Sequence, residues 1–217
     1  SNFVAGVNAG NSIVSGGNNN TLVGDEAGTA ITTGDDNTAV GKSALDSNTT
    51  GLSNTAVGML CLDENSTGNY NTAIGKQALG NNTTASNNTA VGFWSLLANT
   101  TGTRNDALGI SALSSNTTGS HNTSIGGQTL AANTTGANNV AVGSGSLNGN
   151  TTGASNVAVG RLALLVNTTG ANNTATGYQA LYANTTGGNN AALGDNALSS
   201  NTTGGQNTAI GYQALIS

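Results

Sequence analysis

Charge is nearly missing from this chain. Only 6% of its 217 residues are charged and only four residues are Lys or Arg, so no basic patch able to neutralise a run of phosphates can form, which excludes nucleic acid as a partner. Aromatic residues make up 3%, too few for the bulky core of an ordinary globular domain. A single cysteine excludes an intramolecular disulfide framework, and thiol usage says nothing of the compartment. No apolar run approaches the roughly 20 residues that cross a bilayer as a helix, and no charged-then-apolar signal segment opens the chain. Low complexity and low hydrophobicity usually describe disorder. Here the net charge of −5 is too weak to hold a chain of this length expanded, and the apolar residues recur at fixed phases, so order is expected.

What is present is a repeat. An asparagine returns every seventeen residues, from Asn20, Asn37 and Asn54 through to Asn190 and Asn207, heading the pattern Asn-Thr-Ala-Val-Gly-x-x-Ala-Leu-x-x-Asn-Thr-Thr-Gly-x-x. Residues 1–19 read as an imperfect first coil and 20–217 as an array of about twelve coils, the last one truncated. The array reads as a segment of a longer one. Seventeen residues are too few for the paired helices of tetratricopeptide or ankyrin units and suit one coil of an all-β, parallel β-solenoid. With the unit numbered from its Asn, position 5 is Gly from Gly24 to Gly211 and position 15 is Gly except at Ala85; both mark corners that need φ > 0 or forbid a Cβ.

Position 4 (Val, Ile or Leu, except Thr176) and position 9 (Leu from Leu45 onward) are expected to stack coil on coil, about 4.8 Å apart, as the dry interior. Position 12, Asn from Asn48 to Asn201 with Ile31 the exception, is expected to form an amide ladder. Strand neighbours face opposite sides, so positions 3 and 8 should point outward. Both are nevertheless held to Ala and other small residues, Leu22 apart. The simplest cause is close packing of sister chains in a homotrimer. A short helical turn at positions 6 to 10 is the competing account, and would orient the alanine differently.

The segment Asn71-Thr72-Ala73-Ile74-Gly75 resembles the head repeats of YadA-like trimeric autotransporter adhesins. The longer unit, as in Asn173-Thr174-Ala175-Thr176-Gly177-Tyr178-Gln179-Ala180-Leu181 through Asn184-Thr185-Thr186-Gly187, looks still more like the repeats of bacteriophage and bacterial tail-fibre-domain proteins. The resemblance covers residues 20 to 217. It implies a left-handed β-roll, three chains around one axis, and a shaft or adhesive head outside the cell. The unit is longer than the adhesin repeat and has a regular Asn-Thr-Thr-Gly corner; the membrane anchor of adhesins and the self-cleaving chaperone of many tail fibres are not in this sequence.

Chemistry is sparse. No catalytic, cofactor-binding or metal-ligating residue is assigned, and the chain is not read as an enzyme. His121, the sole histidine, reads as a solvated loop residue, and Cys61, where other copies carry Ala, Ser or Thr, as a small buried one. Asp25, Glu26, Asp35, Asp36, Asp46, Asp63 and Glu64 gather near the N-terminal end, but without the ordered Gly-Gly-x-Gly-x-Asp repeat of calcium-binding rolls. Phe93, Trp94, Tyr178, Tyr182 and Tyr212 occupy variable positions, where exposed rings stack on sugars or simply pack between coils. Sequons such as Asn48, Asn116 and Asn184 reflect the corner motif. The expected function is a structural segment of an extracellular fibre, in a phage tail fibre, surface adhesin or filament, located outside the cell, on its surface or on a virion. Its expected partners are its own copies, including end-to-end stacking, and a host receptor or glycan, without membrane insertion. The alternative is a surface-binding solenoid for ice, through threonines at positions 2, 13 and 14, or for carbohydrate.

Overall fold

In the computed structural model, which describes residues 1–216, the chain is a parallel β-solenoid of about twelve coils with no helix among the described residues. Each coil contributes one three-residue strand. The chain forms two compact units, Ser1–Asn105 and a second that begins at Asp106. The first holds β1 (Phe3–Ala5), β2 (Thr21–Val23), β3 (Thr38–Val40), β4 (Thr55–Val57), β5 (Thr72–Ile74) and β6 (Thr89–Val91). The second holds β7 (Asp106–Leu108), β8 (Thr123–Ile125), β9 (Val140–Val142), β10 (Val157–Val159), β11 (Thr174–Thr176), β12 (Ala191–Leu193) and β13 (Thr208–Ile210). Within each unit, consecutive strands pair in parallel and in register, so that Ala39 lies on Ala56 and Ala158 on Ala175. The exception to the seventeen-residue step is β1, whose Phe3 pairs with Thr21; the first coil is one residue longer.

The interior is built from position 9 inward. The leucines from Leu45 to Leu198 at this position have φ between 49° and 57°, a left-handed backbone that costs a bulky L-residue about 1–2 kcal/mol. Every one is buried, from Leu45 at 0% exposure to Leu198 at 5%. Burying a leucine side chain contributes roughly 1.5–3 kcal/mol, which is enough to outweigh the backbone cost. That inversion turns the side chain into the coil.

The positions on either side of the coil wall reverse the sequence-based expectation. Ala39, Ala56, Ala73 and Ala90 at position 3 are buried, as are Ala44, Cys61 and Ala78 at position 8, while Ile74, Leu108 and Leu193 at position 4 are 41%, 49% and 51% exposed. Positions 3 and 8 therefore point into their own coil, and position 4 points out. The coil is narrow. Once one leucine and two asparagines occupy it, only small side chains, Ala, Ser, Cys or Thr, fit at the remaining two inward positions. Smallness there reports the width of the coil and carries no information about sister chains. The helical turn proposed for positions 6 to 10 is also absent; the segment is a run of tight turns, such as Ala44 N–H to Gly41 O at 3.3 Å and Asn48 N–H to Leu45 O at 3.4 Å.

Two coils show that the inward positions share one space. Where position 9 is Gly28, position 3 is Leu22, and a Cβ built on Gly28 would sit 2.8 Å from the Leu22 Cδ2. Where position 3 is Ser124, position 8 is Thr129, and the two hydroxyls are hydrogen-bonded.

Candidate functional site

The outward strand face is the feature of each unit that its internal bonding does not use. Its two columns are position 2, chiefly Thr, and position 4, chiefly Val, Ile or Leu. In the first unit the array reads Thr21/Val23, Thr38/Val40, Thr55/Val57, Thr72/Ile74 and Thr89/Val91 without interruption. In the second it is more aliphatic, with Val140/Val142 and Val157/Val159, and is opened by exposed Asp106. Aliphatic side chains that recur along one surface face, exposed or half-buried and interrupted only at Thr176, are the usual mark of a surface that another surface covers.

The asparagine columns and the position-13 threonines, by contrast, are consumed internally. At position 12, Asn150 Nδ2 donates to Gly153 O at 2.9 Å within its own corner and to Asn133 Oδ1 at 2.8 Å in the preceding coil; Asn65 does the same to Gly68 and Asn48. The ladder expected at position 12 is therefore present within each unit. A second ladder runs at position 1, where Asn54 donates its side-chain amide to Gly68 O at 2.9 Å and to Asn37 Oδ1 at 3.2 Å. Sequence reasoning used this asparagine only as a marker; its persistence in every copy was the available signal. Threonine at position 13 donates its hydroxyl to a carbonyl of the following coil, as Thr151 does to Thr168 O at 3.0 Å. The sequon asparagines Asn48, Asn116 and Asn184 are buried in the ladder. An ice-binding lattice through positions 13 and 14 is left with only the second threonine, exposed at Thr152.

His121 is exposed in a left-handed turn with φ 59°. Cys61 is buried, and burial pushes its thiol up to about 12, so it is an un-ionised core residue under ordinary conditions. Among the described residues no group of three or more His, Cys, Asp or Glu side chains is placed to hold a metal ion. The acidic residues instead act on one another. Asp63 at position 10 is raised to about 6, first by burial and then by the charges of Glu64 and Asp46. Between the ordinary value of 3.8 and about 6, the folded chain holds a proton that the unfolded chain releases. This contribution to stability is complete below 3.8 and is lost as pH rises through about 6. The thermal midpoint should therefore rise on acidification from pH 8 to pH 5, and Asp63→Asn should reduce that rise; an unchanged pH profile in the variant would show that another group is responsible.

The variable corner at positions 6 and 7 carries the aromatic residues. Phe93 and Trp94 stack with ring centroids 4.5 Å apart, and Arg161 lies over the Tyr178 ring at 5.7 Å. Tyr212 is exposed in the last coil, and Tyr182, at position 10, is half-buried. Comparison with known proteins finds no matching family model, no matching curated protein and no matching solved structure.

Proposed function

We propose that this chain is a structural segment, shaft or adhesive head, of an extracellular fibre such as a phage tail fibre, surface adhesin or filament, and that it assembles as a homotrimer of left-handed coils. The observation that carries this reading is the exposed aliphatic column at position 4. Ile74, Leu108, Ile125, Val159 and Leu193 are 38–51% exposed, and the strands of Ile74, Ile125, Val159 and Leu193 are paired on both edges within their unit. A row of apolar side chains along a fold axis buries itself most simply against the same row on identical chains. Internally satisfied coils with almost no titratable groups suit a load-bearing role better than a catalytic one.

Sedimentation velocity tests the assembly. The wild-type protein should sediment with three times the 21.0 kDa chain mass, and Ile74→Glu combined with Ile125→Glu, one change per unit, should give monomers with an unaltered circular dichroism spectrum. A wild-type monomer at micromolar concentration removes the homotrimer. If that monomer also raises thermal hysteresis above a control protein, the threonine and valine array of the first unit is instead an ice-binding face.

A further inference from the structure

We propose that the corner at positions 6 and 7 is a carbohydrate-binding edge that stacks neutral sugars on its rings, with one site in each unit. In the first unit, the rings of Phe93 and Trp94 stack face to face, 25° from parallel, as a two-layer plate whose outer faces turn away from each other. Both remain exposed, at 38% and 41%. The plate is fixed in place: Trp94 Nε1 donates to Gln77 Oε1 at 2.9 Å, and the Trp94 backbone is left-handed with φ 58°. The same left-handed backbone recurs at position 7 of other coils, as at Ser43, Gln77 and Gln179, so it belongs to the corner of the fold; at Trp94 it carries the largest side chain of the chain. Exposed Lys76 and the amide of Gln77, one coil earlier, place hydrogen-bond donors beside the plate.

The second unit presents a single ring at the same corner. Tyr178, also at position 6, is 38% exposed. The Arg161 guanidinium of the preceding coil lies over one face of that ring, and Asp195 of the following coil accepts from the Tyr178 backbone N–H at 3.0 Å. A rigid ring face bordered by donors and acceptors matches a sugar, whose C–H face is apolar and whose rim is hydroxyl. Two occurrences on the same corner, built independently, argue for the corner and against incidental packing. The net charge of −5 and the carboxylate of Asp195 disfavour acidic polysaccharides. This edge lies past the position-5 glycine and uses none of the residues assigned to assembly.

Affinity electrophoresis through gels containing hydroxyethyl cellulose, laminarin, soluble starch or galactomannan, with alginate as the acidic control, tests the proposal. Trp94 is the sole tryptophan, so its emission reports the first site directly. At least one neutral polysaccharide should retard the wild-type protein and shift that emission. Trp94→Gln and Phe93→Ser borrow side chains that the same positions carry in other coils, Gln77 and Ser144, and together should weaken the first site about tenfold. Adding Tyr178→Ser should abolish the remaining retardation. Retardation by alginate alone, undiminished retardation of the triple variant, or none by any neutral polymer would overturn the proposal. The sedimentation of these variants should match the wild type, so failure here is separable from failure of the assembly.

Discussion

Gly160→Ala should cost the second unit about 5 kcal/mol, in the exceptional class for a single substitution, and Gly127→Ala should cost nothing. Gly160 has φ +135°, and a Cβ there would lie 2.4 Å from Gly177 O and 2.7 Å from Gly177 C. Those atoms belong to the backbone of the next coil, which is held in place because Gly177 N–H donates to Val159 O at 2.9 Å. The clash is relieved only by lifting one coil off another, which breaks the ladder at that level. Gly127 has ordinary φ and nothing within 4 Å of its missing Cβ, so alanine there reduces the entropy of the unfolded chain and should be neutral or stabilising by about 0.5 kcal/mol. Urea denaturation followed by circular dichroism distinguishes the pair; similar midpoints for both variants would mean that stacking of coils does not depend on the corner.

Asn156→Leu should destabilise the same unit by about 4 kcal/mol, although leucine keeps the branching of the side chain and is more apolar. Asn156 is fully buried. Its Oδ1 accepts from the backbone N–H of Asn173 at 2.9 Å and from Asn173 Nδ2 at 3.2 Å, and its own Nδ2 donates to Gly170 O at 2.8 Å. Leucine would leave the buried Asn173 N–H without a partner, costing about 1–3 kcal/mol, would force a larger side chain into a close-packed coil at about 1–3 kcal/mol more, and would interrupt a chain of mutually polarising amides, although Gly170 O would keep its bond from Asn167. The apolar gain is smaller than these losses. Thr152→Ala, at an exposed threonine of the same corner, is the control and should stay within about 0.5 kcal/mol. If Asn156→Leu proved as mild as the control, the ladder would be a geometric by-product and not a source of stability.

The period, the position-5 corner, the position-12 ladder and the buried leucines were legible because each leaves a residue type that only one environment demands. The facing of the strand was not. Hydrophobicity placed Val40 and Ile74 inside and Ala39 and Ala73 outside, whereas the coil is so narrow that size decides before hydrophobicity does. The chain itself held the correction. Leu22 appears where position 9 is glycine, and Ser124 appears with Thr129; compensating changes of that kind locate positions 3, 8 and 9 in one enclosed space. For the candidate sites, the aromatic positions were visible in the sequence. Their stacking and pinning were not, since Gln77 lies a full coil away from Trp94. The exposed aliphatic face was missed outright, because its residues had been assigned to the core.

The asparagine columns also have a sense of direction. In both units the side-chain nitrogens reach back to the oxygen of the preceding copy, as Asn37 does to Asn20 and Asn139 to Asn122, and the companion column runs the same way, from Asn65 to Asn48 and from Asn133 to Asn116. Aligned amide dipoles add, as peptide dipoles do along a helix. Each column is therefore electropositive on its early side and electronegative on its late side. A further copy bonds to it only when its own amides point the same way, since a reversed one sets oxygen against oxygen. Extension of such a column is a one-way, head-to-tail operation.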